Sequence, residues 1–367
     1  MTMRRVPFMS LVPHEDAPDV RAAIDRVIAR GWFVLGPEVE AFESEFAAAM
    51  GARFAVGVGT GTDAIALTLR ALGIGPGDEV ITTPLSAAYT ALAVMMAGAR
   101  PIFCDIDPER MTLDPRQVEP AITPRTKAIL PVHLYGQPAD MSALEVIARQ
   151  RNLALVEDCC QAHLATEKGR PVGTIGIAGA FSFYPTKNLG ALGDGGAIVT
   201  NDHDLAARLR RLRNGGQIDR YQHQEFGVNS RLDDLQAAVL RARLSWLPQW
   251  TDRRRALAAR YRAALDGSSV RVPSEQDAGH VYHLFVVRSQ ARADLQAHLA
   301  SHGVETLIHY PLPIPRQPAL ATTEPAECPI AARACDEVLS LPLHPALSDD
   351  DLDLVAATLK GHDACVH

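Results

Sequence analysis

The sequence predicts an α/β fold: a large domain built on a mainly parallel, seven-stranded sheet flanked by helices, followed by a small α+β domain. Three observations carry that expectation. Between about residues 50 and 200, seven apolar runs of three to five residues each close in polar, Gly or Pro residues, as strands buried on both faces do. Helical patterns lie between several of them, and strands alternating with helices imply parallel pairing. After about residue 240 the composition turns Arg- and Ala-rich, then gives a strand and a helix of its own.

In chain order, the first forty residues lack a strand pattern and are expected to pack against the large domain or a partner. The apolar runs are Phe54-Ala-Val-Gly-Val, Glu79-Val-Ile-Thr, Pro101-Ile-Phe-Cys, Ala128-Ile-Leu-Pro-Val, Ala154-Leu-Val, Ala180-Phe-Ser-Phe and Ala197-Ile-Val-Thr. Asp63 to Leu72 and Met141 to Gln150 read as helices. Leu244 to Leu265 reads as one long amphipathic helix joining the domains. A strand at His280-Val-Tyr-His-Leu-Phe-Val-Val and a helix from Ala291 to His302 follow. The division is therefore placed at 1–243 and 244–367.

The 367 residues suit one large and one smaller core, with a globular balance of apolar and charged residues. The net charge is −7 and no basic stripe occurs, which argues against nucleic acid and anionic membrane as partners. No apolar run approaches the 18 residues of a membrane span, and Met1-Thr-Met-Arg-Arg-Val-Pro leads to no secretory apolar stretch. The cysteines at 104, 159, 160, 328, 335 and 365 form no CxxC pair, so a reducing cytoplasm is expected and no metal site is assigned. Only Lys127, Lys168, Lys187 and Lys360 are lysines, so few residues are available to form an imine.

Three stretches at the carboxyl ends of the expected strands carry chemistry, where open α/β sheets bind ligands. In Val58-Gly-Thr-Gly-Thr-Asp-Ala-Ile-Ala-Leu a strand opens into a helix, whose free N–H groups suit a phosphate. It is neither a Walker motif nor GxGxxG, and it equally suits a plain turn capped by Thr62 or Asp63. In Leu153-Ala-Leu-Val-Glu-Asp-Cys-Cys-Gln-Ala-His a strand ends in Glu157 and Asp158. A carboxylate there either caps a helix or holds the ring nitrogen of pyridoxal phosphate protonated, as an electron sink requires. In Ala180-Phe-Ser-Phe-Tyr-Pro-Thr-Lys-Asn-Leu-Gly, Lys187 stands in a loop after a strand, either as a solvated surface amine or as a nucleophile for a carbonyl. Phosphate cradle, strand-end acid and loop lysine in that order on one sheet are more specific than any one of them.

These stretches resemble the DegT/DnrJ/StrS sugar aminotransferases. So do Gly36-Pro-Glu-Val-Glu-Ala-Phe-Glu43, Pro131-Val-His-Leu-Tyr-Gly136, Asn229-Ser-Arg-Leu-Asp-Asp-Leu-Gln-Ala-Ala238, Ile308-His-Tyr-Pro311 and Leu339-Ser-Leu-Pro-Leu-His-Pro345. The resemblance runs from about residue 5 to 355. It implies the fold-type I aminotransferase architecture and pyridoxal 5′-phosphate bound as a Schiff base on Lys187, the catalytic acid/base. It also implies Asp158 at the pyridine nitrogen, Gln161 near the phenolic oxygen, and Gly61, Thr62 and Ser182 at the phosphate. Asn229 would be donated from the other subunit of a homodimer, with Arg231 at the donor carboxylate and His309 and Tyr310 on the substrate side. The reaction implied moves an amino group from L-glutamate to a nucleotide-linked keto-deoxysugar, 3-keto favoured over 4-keto, with a keto-cyclitol open.

The chain departs from the family where an aromatic residue usually covers the cofactor ring. Ala87 and Ala88 stand there, and Tyr89 is the candidate to take that role. Gly193-Asp-Gly-Gly replaces the usual Gly-Glu-Gly-Gly, and Pro313-Ile-Pro-Arg-Gln-Pro318 alters the substrate side. Two other readings stay open: a lyase or desulfurase on the same fold, and a non-catalytic regulatory protein that binds the cofactor. A desulfurase needs a reactive cysteine, and the regulatory reading has no spare segment for a DNA-binding domain.

Overall fold

In a computed structural model, residues 4–320 and 327–366 are described, and Cys365 lies outside the described side chains. All seven apolar runs join a single sheet: β1 (Phe54–Val58), β2 (Glu79–Thr82), β3 (Arg100–Phe103), β4 (Thr126–Leu130), β5 (Ala154–Asp158), β6 (Ala178–Ser182) and β7 (Gly196–Thr200). Their order across the sheet is β1-β7-β6-β5-β4-β2-β3. Every pairing is parallel except those of β7, which runs antiparallel to both β1 and β6. Six strands therefore deliver their carboxyl ends to one edge.

Helices cover both faces, which is why the strands carry apolar residues on both sides. On one face, α3 (Gly61–Ala71) and α6 (His203–Leu212) press Ile65, Leu69, Leu205 and Leu209 onto Val56, Val80, Val156 and Ile198. On the other, Phe42 and Phe46 of α2 (Pro37–Ala49) meet Phe181 and Phe183 edge-on, with ring centroids 5.2–5.3 Å apart. Helices α1 (Ala17–Arg30), α4 (Tyr89–Met96) and α5 (Met141–Arg151) complete the large unit.

The expected long connector is a single helix, α8 (Leu247–Ala264), which begins three residues later than expected and is preceded by α7 (Asp234–Leu244). Ser245 and Trp246 separate them, and Pro248 sits in the first turn of α8, where a missing N–H costs nothing. The smaller unit pairs β8 (Phe285–Arg288) antiparallel with β9 (Val338–Leu341), packed by α8, α9 (Arg292–Ser301) and α10 (Asp349–Val366). Strand β8 is shorter than the apolar run from His280 suggested, because Tyr282 takes a left-handed conformation (φ 47°) and its N–H bonds to His280 Nδ1. Val6 is fully buried in this smaller core and bridges to Val304. The start of the described chain thus packs on the C-terminal unit, whereas sequence placed it with the large domain or a partner.

Candidate functional site

The turn from β1 into α3 opens the site. Thr60 caps the helix, its hydroxyl accepting from Asp63 N at 3.0 Å, so neither Thr62 nor Asp63 is the capping residue expected from sequence. The N–H groups of Gly61 and Thr62 have no partner within the helix. A side chain at 61 would put its Cβ 2.7 Å from both Cys160 Sγ and Ser182 Cβ, so glycine is required there by close approach. This turn, the end of β5 and the end of β6 therefore converge.

At the end of β5, Glu157 and Asp158 point to opposite faces, as strand alternation demands. Asp158 is buried. Its Oδ1 accepts from Cys160 N at 3.1 Å and its Oδ2 from the Thr90 hydroxyl at 2.8 Å. Each oxygen keeps a second lone pair for a further donor. Gln161 is fixed at both ends of its amide: Oε1 accepts from Tyr135 N at 2.7 Å, and Nε2 donates to the Tyr310 hydroxyl at 3.1 Å. Tyr135 takes a left-handed φ of 60°, and its hydroxyl donates to His309 O.

Lys187 follows β6 in a turn closed by its own N–H to Tyr184 O at 2.8 Å. Burial pushes its ammonium pKa below the ordinary 10.5, against the opposing pull of Cys160 and Asp158. Three histidines feel the same amine. His309, pushed down to about 4, and His283, held well below 6.5, are shifted first by burial and then by Lys187; so is His163, down to about 3. A buried lysine of lowered basicity has the character of a carbonyl-trapping amine.

Residues 14–360 match the profile of the DegT/DnrJ/EryC1/StrS aminotransferase family. The chain belongs to this family. A dTDP-3-amino-3,4,6-trideoxy-alpha-D-glucose transaminase of Streptomyces venezuelae is 50% identical over 349 residues, covering 94% of this chain and 92% of that protein. The erythromycin biosynthesis sensory transduction protein EryC1 of Saccharopolyspora erythraea is 50% identical over 363 residues, covering 97% and 99%. Among solved structures, S. venezuelae DesV superposes with a TM-score of 0.95 at 48% identity over 98% of each chain.

The aminotransferase is thus a pyridoxal-phosphate enzyme of fold type I, and its residues fit that cofactor. The side-chain-free cradle at Gly61, the buried carboxylate with lone pairs to spare and the amine of lowered basicity are the three things the group needs. The structure brings together Lys187, Asp158, Gln161, Ser182, Gly61, Thr62, His309 and Tyr310. Tyr89 is 65% exposed at the start of α4, while its neighbour Thr90 turns inward to Asp158. Asn229 is exposed, and Arg231 bonds to Asn214 Oδ1 at 3.3 Å. Between them Ser230 faces the other way, accepting from Gly59 N at 2.9 Å and donating to Asp63 Oδ2 at 2.7 Å.

Sequence reasoning passed over Thr90 and Tyr135. Both lie in stretches that carry the family resemblance or its departures, yet their partners are 68 and 26 residues away. The buried trio His133, Glu157 and Cys159 is close enough to suggest a metal. His133 Nδ1 accepts from Ala139 N at 3.0 Å, so Nε2 carries the proton and donates to Glu157 Oε2 at 3.1 Å. That histidine has no lone pair left for a metal. Burial pushes the thiols of Cys159 and Cys160 well above the ordinary 9, so neither has the character of the reactive cysteine a desulfurase needs.

Proposed function

We propose that this aminotransferase moves an amino group from L-glutamate to a nucleotide-linked 3-keto deoxysugar, as a cytoplasmic homodimer divided at about residue 243/244 into a large and a small domain. The observation that carries the reading is the convergence of Lys187, Asp158 and Gln161 at one sheet edge. The 3-amino product in the name of the S. venezuelae relative favours a keto group at the 3-position.

Bound pyridoxal phosphate supplies a carbonyl for the incoming amine and a ring that spreads negative charge. This chain supplies the rest. Lys187, its basicity lowered by burial, would take a proton from the donor's α-carbon and return one at C4′ of the cofactor. Asp158 holds the ring nitrogen, Gln161 the phenolic oxygen, and Gly61, Thr62 and Ser182 the phosphate. Tyr89 is assigned to the face of the ring beside Ala87 and Ala88. His309 and Tyr310 border the acceptor side, with Tyr310 also orienting Gln161.

A second copy of the chain completes the site. Extended backbone alternates its side chains, so with Ser230 committed to its own turn Asn229 faces outward and is assigned to the partner's phosphate, with Arg231 to the donor carboxylate. Trp32 and Phe33 are about half exposed beside this segment, where Phe33 O accepts from Asp234 N at 3.0 Å, and Phe226 is 85% exposed. So much apolar surface around one segment marks an interface. No helix among the described residues is long and apolar enough to cross a membrane.

The test is the absorbance spectrum with pyridoxal phosphate before and after L-glutamate, for the wild type and Lys187→Ala. A visible band that glutamate bleaches in the wild type alone supports the donor half-reaction. Nucleotide-linked 3-keto and 4-keto sugars, offered next, should restore the band at different rates, and a faster 4-keto sugar would reverse the assignment. A band indifferent to glutamate points to a lyase or to the regulatory reading. Light scattering checks the dimer.

A further inference from the structure

Asp158 is held by a residue to which no role has been given. Thr90 is 2% exposed and its hydroxyl donates to Asp158 Oδ2 at 2.8 Å, while Cys160 N donates to Oδ1 at 3.1 Å. With its proton committed to the carboxylate, Thr90 Oγ1 can only accept from Ser86 Oγ, 3.5 Å away and equally buried. A one-way chain Ser86→Thr90→Asp158 results. The two donors, one backbone and one side chain, approach the carboxylate from opposite ends and fix its plane.

We propose that Thr90 is a positioning residue for Asp158, aiming the carboxylate so that the cofactor's ring nitrogen keeps its proton. Donors to a carboxylate favour its charged form, and a charged, fixed carboxylate is what stabilises a protonated ring. The hydroxyl, not the shape of the side chain, does this. The placement follows from α4: its first turn sets Tyr89 outward and Thr90 inward, directly over the end of β5. The inference rests on the reading that Asp158 faces the ring nitrogen.

The experiment loads the enzyme with pyridoxal phosphate carrying 15N in the ring and records the nitrogen chemical shift for four proteins. These are the wild type, Asp158→Asn, Thr90→Val and Thr90→Ser. Wild type and Thr90→Ser should give the protonated-nitrogen signal, Asp158→Asn the unprotonated one, and Thr90→Val a signal displaced toward Asp158→Asn. The glutamate half-reaction of Thr90→Val should slow about 10- to 100-fold, the scale of one hydrogen bond to a charged group, and recover in Thr90→Ser. A Thr90→Val signal that coincides with wild type overturns the proposal. If Thr90→Val does not take up cofactor, Thr90→Cys, with a weaker donor, replaces it, and a wild-type signal there overturns the proposal equally. An unchanged signal in Asp158→Asn sinks the assignment of Asp158 itself, a separate failure.

Discussion

Glu157 and Asp158 are neighbours on one strand, both buried, and they live in opposite worlds. On one face of the sheet, Glu157 is saturated: Gly173 N and His133 Nε2 donate to Oε2 at 2.8 and 3.1 Å, and Ile175 N and Gly176 N donate to Oε1 at 2.9 and 2.7 Å. On the other, Asp158 has one donor on each oxygen and faces the amine of Lys187. A carboxylate with every lone pair engaged ties a loop to a strand. One left half-engaged beside an amine is a place for a ligand. The difference teaches that burial alone does not mark a catalytic acid; the unspent hydrogen-bonding capacity does.

Several substitutions would break or sharpen this contrast. Lys187→Ala should lower the glutamate-driven loss of the visible band by about 10²- to 10⁴-fold, the usual contribution of a positioned acid/base, measured by stopped-flow absorbance. Asp158→Asn should slow the same step by about 10²- to 10³-fold while the urea midpoint shifts by less than about 1 kcal/mol equivalent. Glu157→Gln should do the reverse. Its amide sets donor against donor among three backbone N–H groups, costing about 2–4 kcal/mol of stability in urea unfolding, with little effect on the loaded enzyme's rate below the transition. A large rate loss in Glu157→Gln, or a large stability loss in Asp158→Asn, would erase the distinction.

Gly61→Ala should cost about 1–3 kcal/mol, because its Cβ meets Cys160 Sγ and Ser182 Cβ, and should weaken cofactor binding in a fluorescence titration. The last effect concerns acid. His163 and His280 are pushed to about 3, and His309 and His344 to about 4, first by burial in each case. Below about pH 6.5 the unfolded chain takes up protons that the folded chain refuses. Stability is therefore full above that pH and falls as the pH drops toward 3–4, which melting temperatures from pH 8 to 4 would trace. A flat profile between pH 6.5 and 4.5 would show that these rings are not held neutral.

Much of this was legible in the chain. The seven strands of the sheet stood out because a strand buried on both faces is a continuous apolar run, and each run reappears with its ends moved by at most about two residues. The stretches around Gly61, Asp158 and Lys187 stood out because their signals are local, a strand end and the few residues after it, and Gln161 came with the family resemblance. What escaped depends on distant pairing. Thr90 is defined by Asp158 and Tyr135 by Gln161, and Val6 by Val304 across almost the whole chain. The start of the long connector was set three residues early, at Leu244, because Ser245 and Trp246 carry no glycine to mark the boundary. The cap at Thr60 was missed by at least two residues, within the run Gly59-Thr60-Gly61-Thr62, whose threonines and glycines all suit the position.

One helix has a mechanical consequence. Leu247, at the start of α8, is buried among the aromatic residues of the large unit, whereas Leu257 and Tyr261, further along, lie in the core of the small one. Between them Arg254 donates to the carbonyls of Tyr282, His283 and Leu343 at 3.2, 3.2 and 2.9 Å. The helix, about 27 Å long, is a strut rooted in both bodies. Swinging them apart would mean bending it or drawing Leu247 out of its seat, at about 2 kcal/mol for a side chain of that size. Any swing of one unit against the other is therefore felt first along α8, at the seat of Leu247.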